Sequence, residues 1–281
     1  MISSASQAWL LSRGISPLSG FLPEEEPLRQ LPPAFAAWDE LAARLPERVA
    51  ARRLSTEAPL TDAPGPGTLT SKAQRERFML LLSCISHAWL TETSAKTLPS
   101  WLAQPWVEVA QQLDRPPVLS HASYALQNWH LREAGLPMLP ENMVPAQQIC
   151  GGEDEAWFIL VTVSIEACGG PVIQAIMQGA EALVAAESYR LARMLKRLTE
   201  QIGEMTLRIQ RMREHCRPAF FYANIRPYLS SLNELHYEGV SENPVRSYAG
   251  GSAAQSTLVQ SLDAFLGVKH PAAHGGGFLR E

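Results

Sequence analysis

A chain of 281 residues with 46% apolar side chains is long enough to bury one large core or two smaller ones, and two domains are expected. Its 24 basic and 28 acidic residues leave a net charge of −4 with no block of like charge. That balance gives no electrostatic footing for nucleic acid or a membrane surface. The four cysteines, Cys84, Cys150, Cys168 and Cys216, lie far apart with no C-x-x-C pair, so they read as reduced thiols rather than a disulfide frame or a zinc site. Met1 to Arg13 has no basic stretch followed by a long apolar run, so a cytoplasmic protein is expected.

Residues 1 to 33 are rich in Pro, Gly and Ser, and Pro32-Pro33 close them off. An amphipathic run from Ala34 to Leu54 predicts a helix that breaks at Pro46. Ser55 to Leu69, with Pro64-Gly65-Pro66-Gly67, predicts a loop. A long helix follows, capped by Thr70 or Ser71 and carrying Phe78, Leu81, Leu82, Ile85, Ala88 and Trp89 on one face. Shorter helices are predicted over Trp106 to Leu113 and Val118 to Ala134. The proline-rich, aperiodic stretch Leu136 to Gly152 sets the expected domain boundary, with 1–150 a small N-terminal domain and 151–281 a large C-terminal one.

The second half opens on the apolar stretch Ala156 to Ala186, interrupted by Glu166 and Gly169-Gly170-Pro171, which predicts a kinked buried helix rather than a membrane span. Leu191, Leu195, Leu198, Ile202, Met205, Ile209 and Met212 alternate spacings of four and three, the seam of a long helix that packs along another. With no alternation of strands and helices, the class is all-α.

Three segments could carry chemistry. In Phe220-Phe221-Tyr222-Ala223-Asn224-Ile225-Arg226-Pro227 the proline biases Arg226 away from helical backbone angles, placing a free guanidinium at a helix end. An arginine so placed is commonly a solvated surface residue. The neighbouring aromatics support the competing reading, a pocket for a ligand with a ring and a carboxylate. Gly250-Gly251-Ser252-Ala253-Ala254-Gln255 has the capping-box spacing before an apolar helix, a start whose free N–H groups attract a carboxylate or phosphate. Finally, His121 with Tyr124 and Phe158 with Thr162 stand three and four apart, so each pair projects from one helix side.

Taken in order, Gly20-Phe21-Leu22-Pro23, Leu126-Gln127-Asn128-Trp129, Trp157-Phe158 to Ile165-Glu166, Phe220 to Leu229, Tyr237-Glu238-Gly239-Val240 and Ala249 to Ser256 resemble the indoleamine 2,3-dioxygenase family over nearly the whole chain. The resemblance implies a two-domain helical bundle with haem b between a small and a large domain. It also implies oxidative opening of the indole pyrrole ring of L-tryptophan to N-formylkynurenine with O₂, in a monomer. A related oxygenase on a modified indole, or a silent binding protein without haem, are the alternatives.

By position, Arg226 resembles the residue that holds the substrate carboxylate and Phe221 the aromatic that packs on the indole. Phe158 and Thr162 would lie on the distal side of the haem, with a hydroxyl kept where the family carries serine. Gly251, Ser252 and Ala253 match the loop beside the amino acid and a haem propionate. His121 and Tyr124 stand where better-known members carry tyrosine and cysteine, which leaves the indole substrate open. The family's proximal haem histidine follows the segment matching Phe278-Leu279-Arg280-Glu281, so that ligand is expected beyond Glu281. His270 and His274, separated by Pro271, read as loop histidines rather than iron ligands.

Overall fold

A computed structural model of the chain describes residues 2–60, 63–242 and 244–269. The expectations for His270, His274 and Phe278 to Glu281 lie outside the described residues.

Helix dominates from the start. After α1 (Ser4–Leu11), the run predicted to break at Pro46 forms α2 (Ala36–Ala43) and α3 (Leu45–Ala51), with Pro46 in the first turn of α3, where its missing N–H has no intrahelical partner to lose. The centre of the molecule is α4 (Lys72–Thr93). Ser71 accepts from the Gln74 backbone N–H while the Gln74 side chain reaches back, a complete capping box, and the helix is buried on all sides from Glu76 to Ala88. Strand β1 (Thr97–Leu98) leads into α5 (Ser100–Gln112).

Between Val118 and Ala134 the structure departs from the predicted helix. Only a five-residue π turn, Ala122–Leu126, forms, and the chain then enters β2 (His130–Leu131), which pairs antiparallel with β3 (Met143–Val144). The reason is local competition. The buried Asn128 side chain accepts from the Gln147 backbone N–H (2.7 Å) and donates to the Tyr124 and Gln147 carbonyls, so the side chain that would ride on a helix ties two loops instead.

The long apolar stretch divides into α6 (Gly152–Glu166) and α7 (Gly169–Val184), joined at Ala167-Cys168. By length and composition it could cross a membrane, yet most of it is buried inside this fold. Next comes α8 (Ser188–Gln210), followed by the short turns α9 (Met212–His215) and α10 (Pro218–Phe220), then a second π turn at Phe221–Ile225. Strand β4 (Leu232–Tyr237) pairs parallel with β1 and antiparallel with β5 (Val245–Tyr248), and α11 (Thr257–Leu266) packs on α7 and α8 through Leu258, Leu262, Val172 and Leu198. The strands are short additions to an all-α architecture.

The α8 seam packs only in part. Leu198 is buried and Leu191, Met205 and Met212 half-buried, but Leu195, Ile202 and Ile209, each seven residues from the next, are exposed, Ile209 at 49%. The buried side of this seam meets α7 and α11, and among the described residues its other side stays exposed.

His87 on α4 locks core to loop. Its Nε2 accepts the Leu119 N–H (3.0 Å), so Nδ1 carries the proton, donated to the Tyr228 carbonyl (2.8 Å). Burial holds its pKa down to about 4, against 6.5 ordinarily. Unfolded His87 takes a proton below pH 6.5, whereas the folded ring refuses it until about 4. Stability from this group is therefore complete above pH 6.5 and is lost as pH falls toward 4, by about 3 kcal/mol. Urea unfolding at pH 7.5 and 4.5 should show a smaller pH-dependent loss in His87→Gln than in the native protein, and equal losses would contradict this assignment.

Candidate functional site

Four segments distant in sequence meet around one cavity of about 100 Å³. The π turn brings His121 and Tyr124, α6 brings Phe158 and Thr162, the aromatic segment ends in it at Leu229, and the loop after β5 closes it with Gly251, Ser252 and Ala253. Ile209 and Met212 at the end of α8 complete the wall. The space is of the order of that which holds a single aromatic ring.

The polar groups of this wall are mostly committed. Thr162 Oγ1 donates to the Phe158 carbonyl (2.8 Å), so its hydroxyl is turned into its own helix. Tyr124 donates its hydroxyl to Glu155 Oε1, and burial beside that carboxylate drives the phenol far above its usual range. Glu155 itself is completely buried and accepts backbone N–H groups from Ile149 (2.8 Å), Cys150 (2.8 Å) and Gly151 (2.7 Å). These donors converge on one carboxylate and tie the loop before α6 to the cavity floor.

His121 is also buried and carboxylate-bound: its Nε2 lies 3.0 Å from Glu166 Oε1, which accepts the Ser256 hydroxyl as well. Its backbone N–H donates to Gln255 Oε1 (3.1 Å), and Gln255 Nε2 donates to the Gly250 carbonyl (3.1 Å). Sequence reasoning did not assign Glu155, Glu166, Gln255 or Ser256 to the site. Glu166 gave a signal, as the lone charge inside an apolar helix, where a buried carboxylate requires a partner.

The glycine loop is built for close approach. A Cβ on Gly250 would stand 2.1 Å from the Leu229 carbonyl oxygen, and one on Gly251 3.0 Å from that of Leu119. Ser252 and Gln255 do form the expected capping box, but it closes only the single 3₁₀ turn Ala253–Gln255. The apolar helix α11 is capped separately by Ser256, which accepts the Val259 N–H (3.3 Å), so the N–H groups at that helix start are not offered to the cavity as the spacing suggested.

Phe221 packs against Phe158 with ring centroids 4.8 Å apart, behind the cavity wall rather than on it. Arg226 takes helical angles (φ −54°, ψ −36°) despite Pro227, because the π turn runs directly into the 3₁₀ turn Arg226–Leu229, whose first turn needs no N–H from the proline. Its side chain is exposed, 5.5 Å over the Tyr222 ring, and among the described residues it pairs with no carboxylate. The structure thus does not bring Arg226 to the cavity wall, which the same segment reaches only at Leu229.

The sequence matches the family described as indoleamine 2,3-dioxygenase over residues 12–280. The chain belongs to the indoleamine 2,3-dioxygenase family, and its relatives are dioxygenases, hence oxidoreductases. Indoleamine 2,3-dioxygenase nanC of Aspergillus nanangensis is 32% identical across 95% of this chain and 70% of its own length. Indoleamine 2,3-dioxygenase 2 of Homo sapiens is 33% identical across 99% of the chain and 70% of its own length. A more distant relative, 28% identical over 95% of the chain and 68% of its own length, is the 6-hydroxytryptophan 2,3-dioxygenase fscD of Fusarium equiseti. Of the two π turns among the described residues, Ala122–Leu126 lines the cavity through Tyr124 and Ala125, while Phe221–Ile225 stands behind its wall, where Phe221 packs on Phe158.

Proposed function

We propose that this cavity holds the indole ring of tryptophan or a ring-substituted relative, and that the protein works with haem b and O₂ to open that ring to the N-formylkynurenine type of product. The observation that carries the reading is the convergence of His121, Tyr124, Phe158, Thr162 and Gly251–Ala253 on a single ring-sized, largely apolar space.

The residues present suit one face of a porphyrin. Ile209, Ile202 and Leu195 offer an exposed apolar row leading to the cavity, Phe158 adds an aromatic edge, and the Thr162 hydroxyl presents no free donor. Ser252 Oγ accepts from the Ala254 N–H (3.2 Å), which leaves its proton to donate to a propionate. When bound, haem supplies the redox chemistry that lets O₂ react with an aromatic ring.

The chain's own part is positioning and exclusion of water. Phe158, backed by Phe221, and the Gly251 backbone would hold the two faces of the indole, fixing its orientation before reaction. Arg226, turning off the Tyr222 ring, would take the amino-acid carboxylate with a bidentate fork. No side-chain general base is required, and the committed hydroxyls of Tyr124 and Thr162 offer none.

Because Arg226 is exposed, replacing it leaves the fold intact. Arg226→Lys should weaken L-tryptophan binding about tenfold, the loss of one charge-assisted hydrogen bond, with an unchanged melting temperature. Haem-supplied protein given L-tryptophan and O₂ should form N-formylkynurenine, read by its absorbance. Absence of product together with unchanged affinity in the lysine variant would overturn the reading.

A further inference from the structure

Resting on that reading, we propose that His121 determines specificity by accepting a hydrogen bond at Nδ1 from a ring hydroxyl, so that the preferred ligand is a hydroxylated indole amino acid. Glu166, the last residue of α6, is only 2% exposed. A carboxylate only accepts, so the imidazole nitrogen 3.0 Å from Glu166 Oε1 must carry the proton. Ser256 donates to the same oxygen and is held in place as the cap of α11, which fixes the carboxylate between two donors. Among the described residues Glu166 Oε2 has no hydrogen-bond partner, so the carboxylate's hydrogen bonding there is concentrated on His121 and Ser256.

With Nε2 donating to Glu166, Nδ1 is the ring nitrogen left for a ligand, and in the Nε2–H tautomer it carries a lone pair. Nδ1 makes no hydrogen bond within the described residues, and the ring lines the cavity. Of the other polar side chains that line it, Tyr124 donates to Glu155 and Thr162 to its own helix, while Ser252 accepts from the Ala254 N–H and keeps its own proton as a donor. A largely apolar space thus contains one ring nitrogen held in direction by a buried carboxylate. A bare aromatic ring leaves that acceptor unpaired, and a phenolic hydroxyl satisfies it. Glu166 and Ser256 are positioning residues in this arrangement.

Isothermal titration of the protein with L-tryptophan and with its 4-, 5-, 6- and 7-hydroxy isomers should find at least one isomer bound about threefold to tenfold more tightly than tryptophan, the range for one neutral hydrogen bond. In His121→Phe that ratio of hydroxylated isomer to tryptophan should fall to about one, whatever the change in tryptophan affinity itself. Since the phenylalanine would leave Glu166 one donor short and could unfold the protein, ¹⁵N-histidine spectra of the native protein provide an independent measure. They should show an unprotonated Nδ1 on His121 that shifts on adding the favoured isomer and not on adding tryptophan.

If tryptophan binds but no isomer binds better, or if the Nδ1 signal is protonated throughout, the specificity proposal falls and the tryptophan site stands. If 1-methyl-L-tryptophan binds more weakly than tryptophan by the same factor as His121→Phe binds tryptophan, the ring N–H is the donor and the hydroxylated class is wrong. Failure of every indole amino acid to bind would remove both readings.

Discussion

Glu155→Ala should unfold this protein at ordinary temperatures or cost about 4 kcal/mol of stability. The carboxylate is fully buried and is the shared acceptor for the backbone N–H groups of Ile149, Cys150 and Gly151 and for the Tyr124 hydroxyl. An alanine abandons all of these donors in a space from which water is excluded, and each buried donor left unmade carries its own desolvation cost. Tyr124 would lose the partner that fixes its ring in the cavity floor. Chemical denaturation of Glu155→Ala beside Glu155→Gln measures this: the amide keeps one acceptor oxygen and should retain part of the stability. A loss below about 1 kcal/mol in the alanine variant would show that the loop before α6 does not depend on this acceptor.

Gly250→Ala is the second large effect, and it is steric. The added methyl would lie 2.1 Å from the Leu229 carbonyl oxygen and 2.4 Å from the Ser230 carbonyl carbon, both backbone atoms with no side-chain freedom to yield. The loop must withdraw, at a cost of about 3 kcal/mol, and with it go Gly251 and the Gln255 bridge to the His121 backbone. Affinity for L-tryptophan should fall more than tenfold. Gly251→Ala is the control, because its methyl meets only the Leu119 carbonyl oxygen at 3.0 Å, where a shift of a few tenths of an ångström relieves the contact. Equal behaviour of the two variants would mean that the loop does not hold the cavity closed.

What could be read from the sequence divides along physical lines. The Ser71 cap, the break at Pro46 and the helical class are local facts, set by hydrogen bonds and backbone limits within a few residues, and they appear in the structure where the residues place them. The predicted helix over Val118 to Ala134 failed because Asn128 is claimed by Gln147, nineteen residues away, a competition no window of periodicity contains. The α8 pattern revealed an apolar seam but not that one of its sides, Leu195, Ile202 and Ile209, stays exposed among the described residues. At the site, the cavity-lining side chains were nameable, whereas the buried carboxylates that orient them were not. Glu155 and Glu166 act across loops and between helices, and their partners are fixed only by the tertiary fold.

The exposed α8 row is a further sign that the cavity opens onto apolar surface rather than onto water-loving side chains. Ile209, the last residue of that row, also lines the cavity wall, which ties the row to the same site.

The most direct test of the account is a crystal structure of the protein with L-tryptophan. The indole ring should lie between Phe158 and the Gly251 backbone, with His121 at its edge and the carboxylate within about 3 Å of an Arg226 guanidinium turned away from Tyr222. Tryptophan bound at another place, for instance in the cleft beside Trp101 and Gln104, with this cavity left as it is, would contradict the account.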